Sequence, residues 1–223
     1  MKQVINSIAI IYEHYDFILV NKPAGLDVHN KPGNVLDLLE ADTQLRFHAV
    51  HRLDQETSGL LVLAKTAKVT TTLQASLQST QSQKSYLTIV KGQPKPLQGQ
   101  WSMPISAKAE GRRQPAGLNK NRIEACTEYM VIEQTPWLSL LRCRLLTGRQ
   151  HQIRKHCALA RCPIVGDLRY GDPKHARLMT HKFNFNHLAL HACSISFNYL
   201  GQEYSFSQKP PVAWSNFDFT YPS

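Results

Sequence analysis

A chain of 223 residues with 42% apolar side chains is long enough to bury a sizeable core. No apolar run approaches the ~20 residues that a membrane-crossing helix needs, and Ile8-Ala9-Ile10-Ile11 is too short for a signal-peptide core, so a cytoplasmic protein is expected. The formal net charge of +10 points to a polyanion partner rather than to a basic or neutral one.

In chain order, Ser7–Tyr12 and Phe17–Asn21 read as strands joined at His14-Tyr15-Asp16, a hairpin signal. Lys22-Pro23-Ala24-Gly25 breaks the second strand. Asn34 is placed to cap a short helix over Val35–Glu40, with Val35, Leu38 and Leu39 on one face. Leu60-Leu61-Val62-Leu63-Ala64 is a buried strand, and Thr66 can cap a polar helix running to about Ser79. Tyr86–Lys91 reads as a strand with Tyr86, Thr88 and Val90 on one face. The stretch from Gly92 to Gly117 is loop-rich with one short strand.

Ala125–Glu133 and Leu138–Leu146 form a strand pair around Gln134-Thr135-Pro136. Thr147 is a cap for a helix over Arg149–Ala160 that points Ile153, Cys157 and Ala160 inward. Leu188–Tyr199 is a long strand, and Gly201 begins a return through Tyr204-Ser205-Phe206. Strand pairs with a few interspersed helices predict an α+β fold: a largely antiparallel mixed β-sheet with flanking helices and loops, in a single domain over 1–223.

The five cysteines, Cys126, Cys143, Cys157, Cys162 and Cys193, are odd in number and contain no CxxC pair, so buried thiols in a reducing compartment are expected. Cys157 and Cys162 with His151 and His156 lack the usual zinc-ligand spacings, and no metal is expected.

The charge is uneven. Between Lys84 and Arg122, Glu110 alone opposes Lys84, Lys91, Lys95, Lys108, Arg112, Arg113, Lys120 and Arg122. Between Glu133 and Asp167 no acid accompanies Arg142, Arg144, Arg149, Arg154, Lys155 and Arg161. Any one of these is an ordinary solvated cation; together they suit nucleic acid.

Four segments carry groups that can do chemistry. His51-Arg52-Leu53-Asp54-Gln55-Glu56-Thr57-Ser58-Gly59 places a carboxylate in a turn just before a buried strand. Thr147-Gly148-Arg149-Gln150-His151-Gln152-Ile153-Arg154-Lys155-His156 packs cations, imidazoles and amides into a helix start, where one inward arginine can hold a carboxylate. Lys84-Ser85-Tyr86 offers an aromatic face, and Asn21-Lys22-Pro23-Ala24-Gly25 is a loop after a strand.

Together, NKPxG, HRLDxxTSG, KxY and TGRxHQIRxH resemble the RluA-type pseudouridine synthases. The match continues through Gly166-Asp167, Tyr170-Gly171 and Leu190-His191-Ala192, and spans about Tyr12 to Ser207. The resemblance implies isomerisation of uridine in structured RNA (tRNA, rRNA or both) to pseudouridine by base flipping, without a cofactor. It implies that Asp54 is the catalytic aspartate, Tyr86 the ring stacked on the uracil, and Arg154 the cation paired with Asp54. Arg52 matches the arginine that fills or guides the space left by the flipped nucleotide. Lys22, His51, Thr57, Arg149, His151 and Gln152 are the further substrate-binding candidates.

Only about ten residues precede the first strand, so the separate N-terminal RNA-binding module of many relatives is expected to be missing. A monomer is expected, and the Glu110-Gly111-Arg112-Arg113 loop is a candidate for RNA selection. Two other readings carry different signatures: a catalytically idle RNA-binding protein, and a nuclease using His51, His151 or His156, which would shorten its RNA.

Overall fold

The computed structural model describes residues 7–118 and 121–219. Lys120, counted above among the cations, lies outside them. The chain forms two compact units. One comprises the residues up to Gln83 together with Ala192–Gln208; the other comprises Lys84–His191 together with the residues from Lys209 onward.

In the first unit, β1 (Ala9–Glu13) and β2 (Phe17–Lys22) form the expected antiparallel hairpin, and β2 pairs antiparallel with β4 (Ser58–Ala64). The two-residue β3 (His48–Ala49) also lies on β4. The order β1-β2-β4 continues to β11 (Leu190–Tyr199), which pairs antiparallel with β12 (Gln202–Ser207). Every residue of β4 is buried, which is why its sequence is a continuous apolar run rather than an alternating one.

One face of this sheet contributes Phe17, Leu19, Leu60, Val62, Ala64, Ile195, Phe197 and Tyr199. These pack with Leu73 and Leu77 of α2 (Ala67–Gln78) into a single apolar cluster. Each enclosed aliphatic side chain is worth about 1.5–3 kcal/mol relative to exposure. Asn34 caps α1 (Val35–Thr43) as expected: its side chain accepts the N–H of Leu36 and Asp37, and Asp37 returns the bond in a capping box. Thr66 does sit at the N-cap of α2, but its hydroxyl makes no capping bond there.

In the second unit, β5 (Gln83–Lys91), β10 (Leu138–Leu145), β9 (Thr127–Gln134) and β6 (Gln98–Trp101) lie side by side in that order, each pairing antiparallel. A small hairpin joins β7 (Ile105–Ser106) to β8 (Arg122–Ile123). The helix expected over Arg149–Ala160 is α3, Gln152–Leu159, so it starts later than the Thr147 cap predicted. The reason is local. Thr147 donates its hydroxyl to Gln152 Oε1 and accepts the Cys126 N–H, while Gln152 Oε1 also accepts the Arg149 N–H. These bonds keep residues 147–151 as a loop, and His151 becomes the N-cap in a left-handed conformation, φ 56°.

The sequence reading contained no helix at α4 (Pro173–Phe183), which only Ala176 and Met179 anchor by burial. Asp172 caps it and proline opens it. A 3₁₀ turn, Val212–Phe217, follows. The pattern is the expected α+β fold on mainly antiparallel strands. No helix is long and apolar enough to cross a membrane among the described residues, and none of the five cysteines forms a disulfide.

Candidate active site

Asp54 opens a four-residue turn, closed by the Thr57 N–H donating to the Asp54 carbonyl at 3.0 Å. The turn leads straight into β4, so the half-buried carboxylate is mounted at the end of an immobile strand. The NKPxG and HRLDxxTSG motifs, about thirty residues apart, are one structural unit. The Gln55 carbonyl accepts both the Gly25 N–H (2.9 Å) and Lys22 Nζ (3.0 Å), and the Gln55 side-chain amide donates to the Gly25 carbonyl (3.0 Å). Gly25 makes this return with φ 89°, a region where a Cβ is strained.

Lys22 is completely buried, and its ammonium also donates to the carbonyls of Pro23 (2.9 Å) and Leu26 (2.7 Å). All three of its hydrogens are thus on backbone oxygens, and it ties the loop to the turn. Burial pulls its pKa down to about 7 from 10.5, against the opposing pull of Asp54, Glu56 and Asp27. The unfolded chain therefore binds a proton that the folded chain has lost between pH 7 and 10.5, and stability contributed by this group rises with pH across that window. We expect thermal unfolding midpoints of the wild type to climb more between pH 7 and 10 than those of Lys22→Met. Parallel curves would mean that Lys22 titrates as an ordinary surface amine.

His51 Nε2 accepts the Val62 N–H at 2.9 Å. The two-residue β3 has left the sheet by this point, and the imidazole supplies the acceptor that its backbone no longer offers β4. Gly59, with φ 113°, is required by packing: a Cβ there would lie 2.3 Å from the Ala192 carbonyl oxygen on β11. Thr57 Oγ1 is sealed from solvent without a hydrogen-bond partner among the described residues, and Arg52 is exposed.

In the second unit, Arg154 of α3 and Asp167 form a bidentate pair, Nε to Oδ2 and Nη2 to Oδ1, each 2.9 Å, with side chains only 4% and 1% exposed. Asp167 Oδ1 also accepts the N–H of Arg169 and Tyr170. Burial raises the cost of charging this carboxyl, but Arg154 and the two N–H donors outweigh it and hold its pKa below the ordinary aspartate value. The Tyr170 ring lies against the guanidinium, 5.4 Å from ring centre to Cζ, and its hydroxyl meets His151 Nδ1 at 2.9 Å. Burial, then the charges of Arg154, Arg169 and Lys155, push His151 down to about 3, so it is neutral at physiological pH.

The pairing of Asp167 with Arg154 was not expected from the sequence. Asp167 stood there only as part of a matching motif, although an aspartate between a glycine and a tyrosine-glycine pair marks a tight acidic turn. Gln152 is buried, and its amide is spent on Cys126 and Thr127 as well as on Thr147 and Arg149. Arg149 is exposed and reaches the Glu124 carbonyl at 3.2 Å. Tyr86 sits on β5 opposite Cys143, 8% exposed. Thus Lys22, His51, Arg52, Asp54 and Thr57 gather in one unit. Arg149, His151, Gln152 and Arg154 gather around α3 in the other, which also holds Tyr86.

Residues 16–159 match the family model described as RNA pseudouridylate synthase. The chain belongs to that family. Among curated relatives of this pseudouridylate synthase family member, one from Synechocystis is described as an uncharacterized RNA pseudouridine synthase. It is 37% identical over 202 residues, covering 84% of this chain and 60% of the relative. Ribosomal large subunit pseudouridine synthase C of Escherichia coli K12 is 33% identical over 86% of this chain and 62% of its own length. Synthase D of Zymomonas mobilis is 33% identical over 91% and 69%. The chain thus spans roughly three-fifths of the length of the first of these relatives.

Among solved structures, human RNA pseudouridylate synthase domain containing 4 superposes with a TM-score of 0.79 at 25% identity, covering 96% of this chain and 95% of that one. Human RNA pseudouridylate synthase domain containing 1 gives 0.77 at 21% identity over 92% and 84%, a likeness of fold.

Proposed function

We propose that this chain isomerises uridine to pseudouridine within structured ribosomal or transfer RNA. The bond from C1′ of the ribose to N1 of uracil breaks, and a bond from C1′ to C5 forms. The C5 proton is released to solvent and N1 takes up a proton, so no redox partner or nucleotide is consumed. The observation that carries the reading is the Asp54 turn, anchored to an enclosed strand and locked by Lys22 to the NKPxG loop, in a chain of this family. Asp54 serves as the catalytic carboxylate, Tyr86 as the ring against the extruded uracil, and Arg154 as the guanidinium that keeps Asp54 charged. Arg52 guides the space vacated by the flipped base.

The basic stretches support an RNA partner, whose phosphates offset the few kcal/mol needed to extrude a base. Lys22, His51, Thr57 and Gln152 act from within the loops that carry these groups; Arg149 and His151 face the substrate. The reading includes a monomer acting in the cytoplasm without a cofactor.

The histidines speak against the nuclease alternative. His151 is not an imidazolium acid at neutral pH, His51 spends its Nε2 on the Val62 N–H, and His156 is buried with its ring nitrogens on Thr127 Oγ1 and the Met103 carbonyl. The deciding experiment is tritium release from ribosomal and transfer RNA carrying uridine labelled at C5. Release with unchanged RNA length is expected. Bound RNA with no release from either class would overturn the isomerase reading, and shortened RNA would point to the nuclease.

A further inference from the structure

Trp137 is 79% exposed, whereas the other two tryptophans, Trp101 and Trp214, are 8% and 2% exposed. It is not on a loose loop. In the β9–β10 turn, the Thr135 N–H donates to the Leu138 carbonyl (2.8 Å) and the Leu138 N–H returns to Thr135 Oγ1 (3.0 Å). The segment after β5 braces the turn from the side: the Gly92 N–H donates to the Trp137 carbonyl (2.7 Å), and the Gln93 amide to the Thr135 carbonyl (2.9 Å). A rigid turn therefore presents a large flat ring to solvent, an arrangement that folding alone does not reward.

A cation stands beside it: the exposed Lys91 pairs across the β5–β10 ladder with Leu138, the residue after Trp137. The Asp172 carboxylate, at the start of α4, feels the charges of Lys91, Arg112 and His175. Lys91 and Arg112 thus both lie within electrostatic reach of this one carboxylate.

We propose that Trp137, with Lys91 beside its turn, is a stacking platform for an unpaired base of the RNA, a contact additional to the Asp54 site. It rests on reading the chain as an RNA enzyme and deepens that reading by naming where unpaired flanking nucleotides are held. Every base has a π-face, so such a contact tolerates any sequence while Lys91 holds an adjacent phosphate. The groups bonded to this turn, the Gly92 N–H and the Gln93 amide, are polar, which suits bases and phosphates better than the apolar surround of a protein anchor.

The test uses the whole chain and a uridine-rich single-stranded oligonucleotide, with affinity and tryptophan emission followed together. Binding is expected to quench the exposed-tryptophan emission. Trp137→Phe should lose most of that change while keeping its unfolding midpoint, and Trp137→Ala should bind about ten-fold or more weakly. Arg112→Ala with Arg113→Ala should flatten the salt dependence but retain the quench.

Unaltered emission at RNA concentrations that saturate binding, or full affinity in Trp137→Ala, would overturn the platform even where tritium is released. Quenching without tritium release would leave the platform standing and remove the isomerase. An emission change that follows protein concentration instead of RNA would make this an interface between copies of the chain, and no RNA binding at all would end both readings.

Discussion

Asp54→Asn is expected to abolish tritium release from C5-labelled RNA while leaving RNA affinity within about two-fold, since phosphate contacts dominate affinity. An amide of the same shape keeps the turn, because that turn is closed by the backbone of residues 54 and 57 and by Lys22 on the Gln55 carbonyl. What disappears is the charge and the basicity. A positioned acid or base contributes roughly 10²–10⁴-fold to rate, so the residual signal should fall below detection. Release from the variant at the parental rate would remove Asp54 from the chemistry. Lost RNA binding with a lowered unfolding midpoint would instead assign it to the fold.

Asp167→Asn is the second large effect. It leaves the Arg154 guanidinium, 4% exposed, with a neutral amide where it had a bidentate carboxylate. Breaking one partner of a buried pair costs about 3–5 kcal/mol. Arg154→Leu should cost a similar amount, and the double replacement Arg154→Leu with Asp167→Leu less than the sum, because the two side chains are directly coupled.

The pair also sets an acid limit. The folded pKa of Asp167 lies below its unfolded value of about 3.9. The stabilisation it contributes is therefore fully present above that unfolded value and is lost as pH falls through the folded one. Denaturant midpoints of the wild type should drop more steeply below pH 4 than those of Asp167→Asn. Equal slopes, or additive single costs, would mean that the pair is energetically idle.

Strands were the most legible part of the chain, for a physical reason. β4 is apolar without interruption because both of its faces are covered, and the β9–β10 hairpin is marked by a proline turn between apolar runs. The α1 start was equally readable, since its cap and capping box lie within four residues. The start of α3 was not. What delays it is Thr147 spending its hydroxyl on Gln152 and on the Cys126 N–H, and Cys126 lies 21 residues away, where the pattern around the helix start does not announce it. In α4, two buried residues are too few to make a stripe, although Asp172-Pro173 was a start signal in plain view.

The candidate site divides the same way. Asp54 stands out because an acid in a polar turn just before an apolar strand is odd by itself. The roles of Lys22 and Asp167 depend on who meets whom in space. Lys22 looks like a cation for phosphate, yet it is fully enclosed; Asp167 looks like a turn residue, yet it holds Arg154.

The shared Gln55 carbonyl sets a rule for anyone transplanting this loop into another scaffold. Residues 22–26 and 54–57 must travel as one cassette, because the oxygen that takes both the Gly25 N–H and the Lys22 ammonium belongs to the peptide chain and is supplied whatever side chain stands at 55. Moving the acidic segment by itself would leave that oxygen without its two donors, and the graft would sag at the very residue it was meant to display.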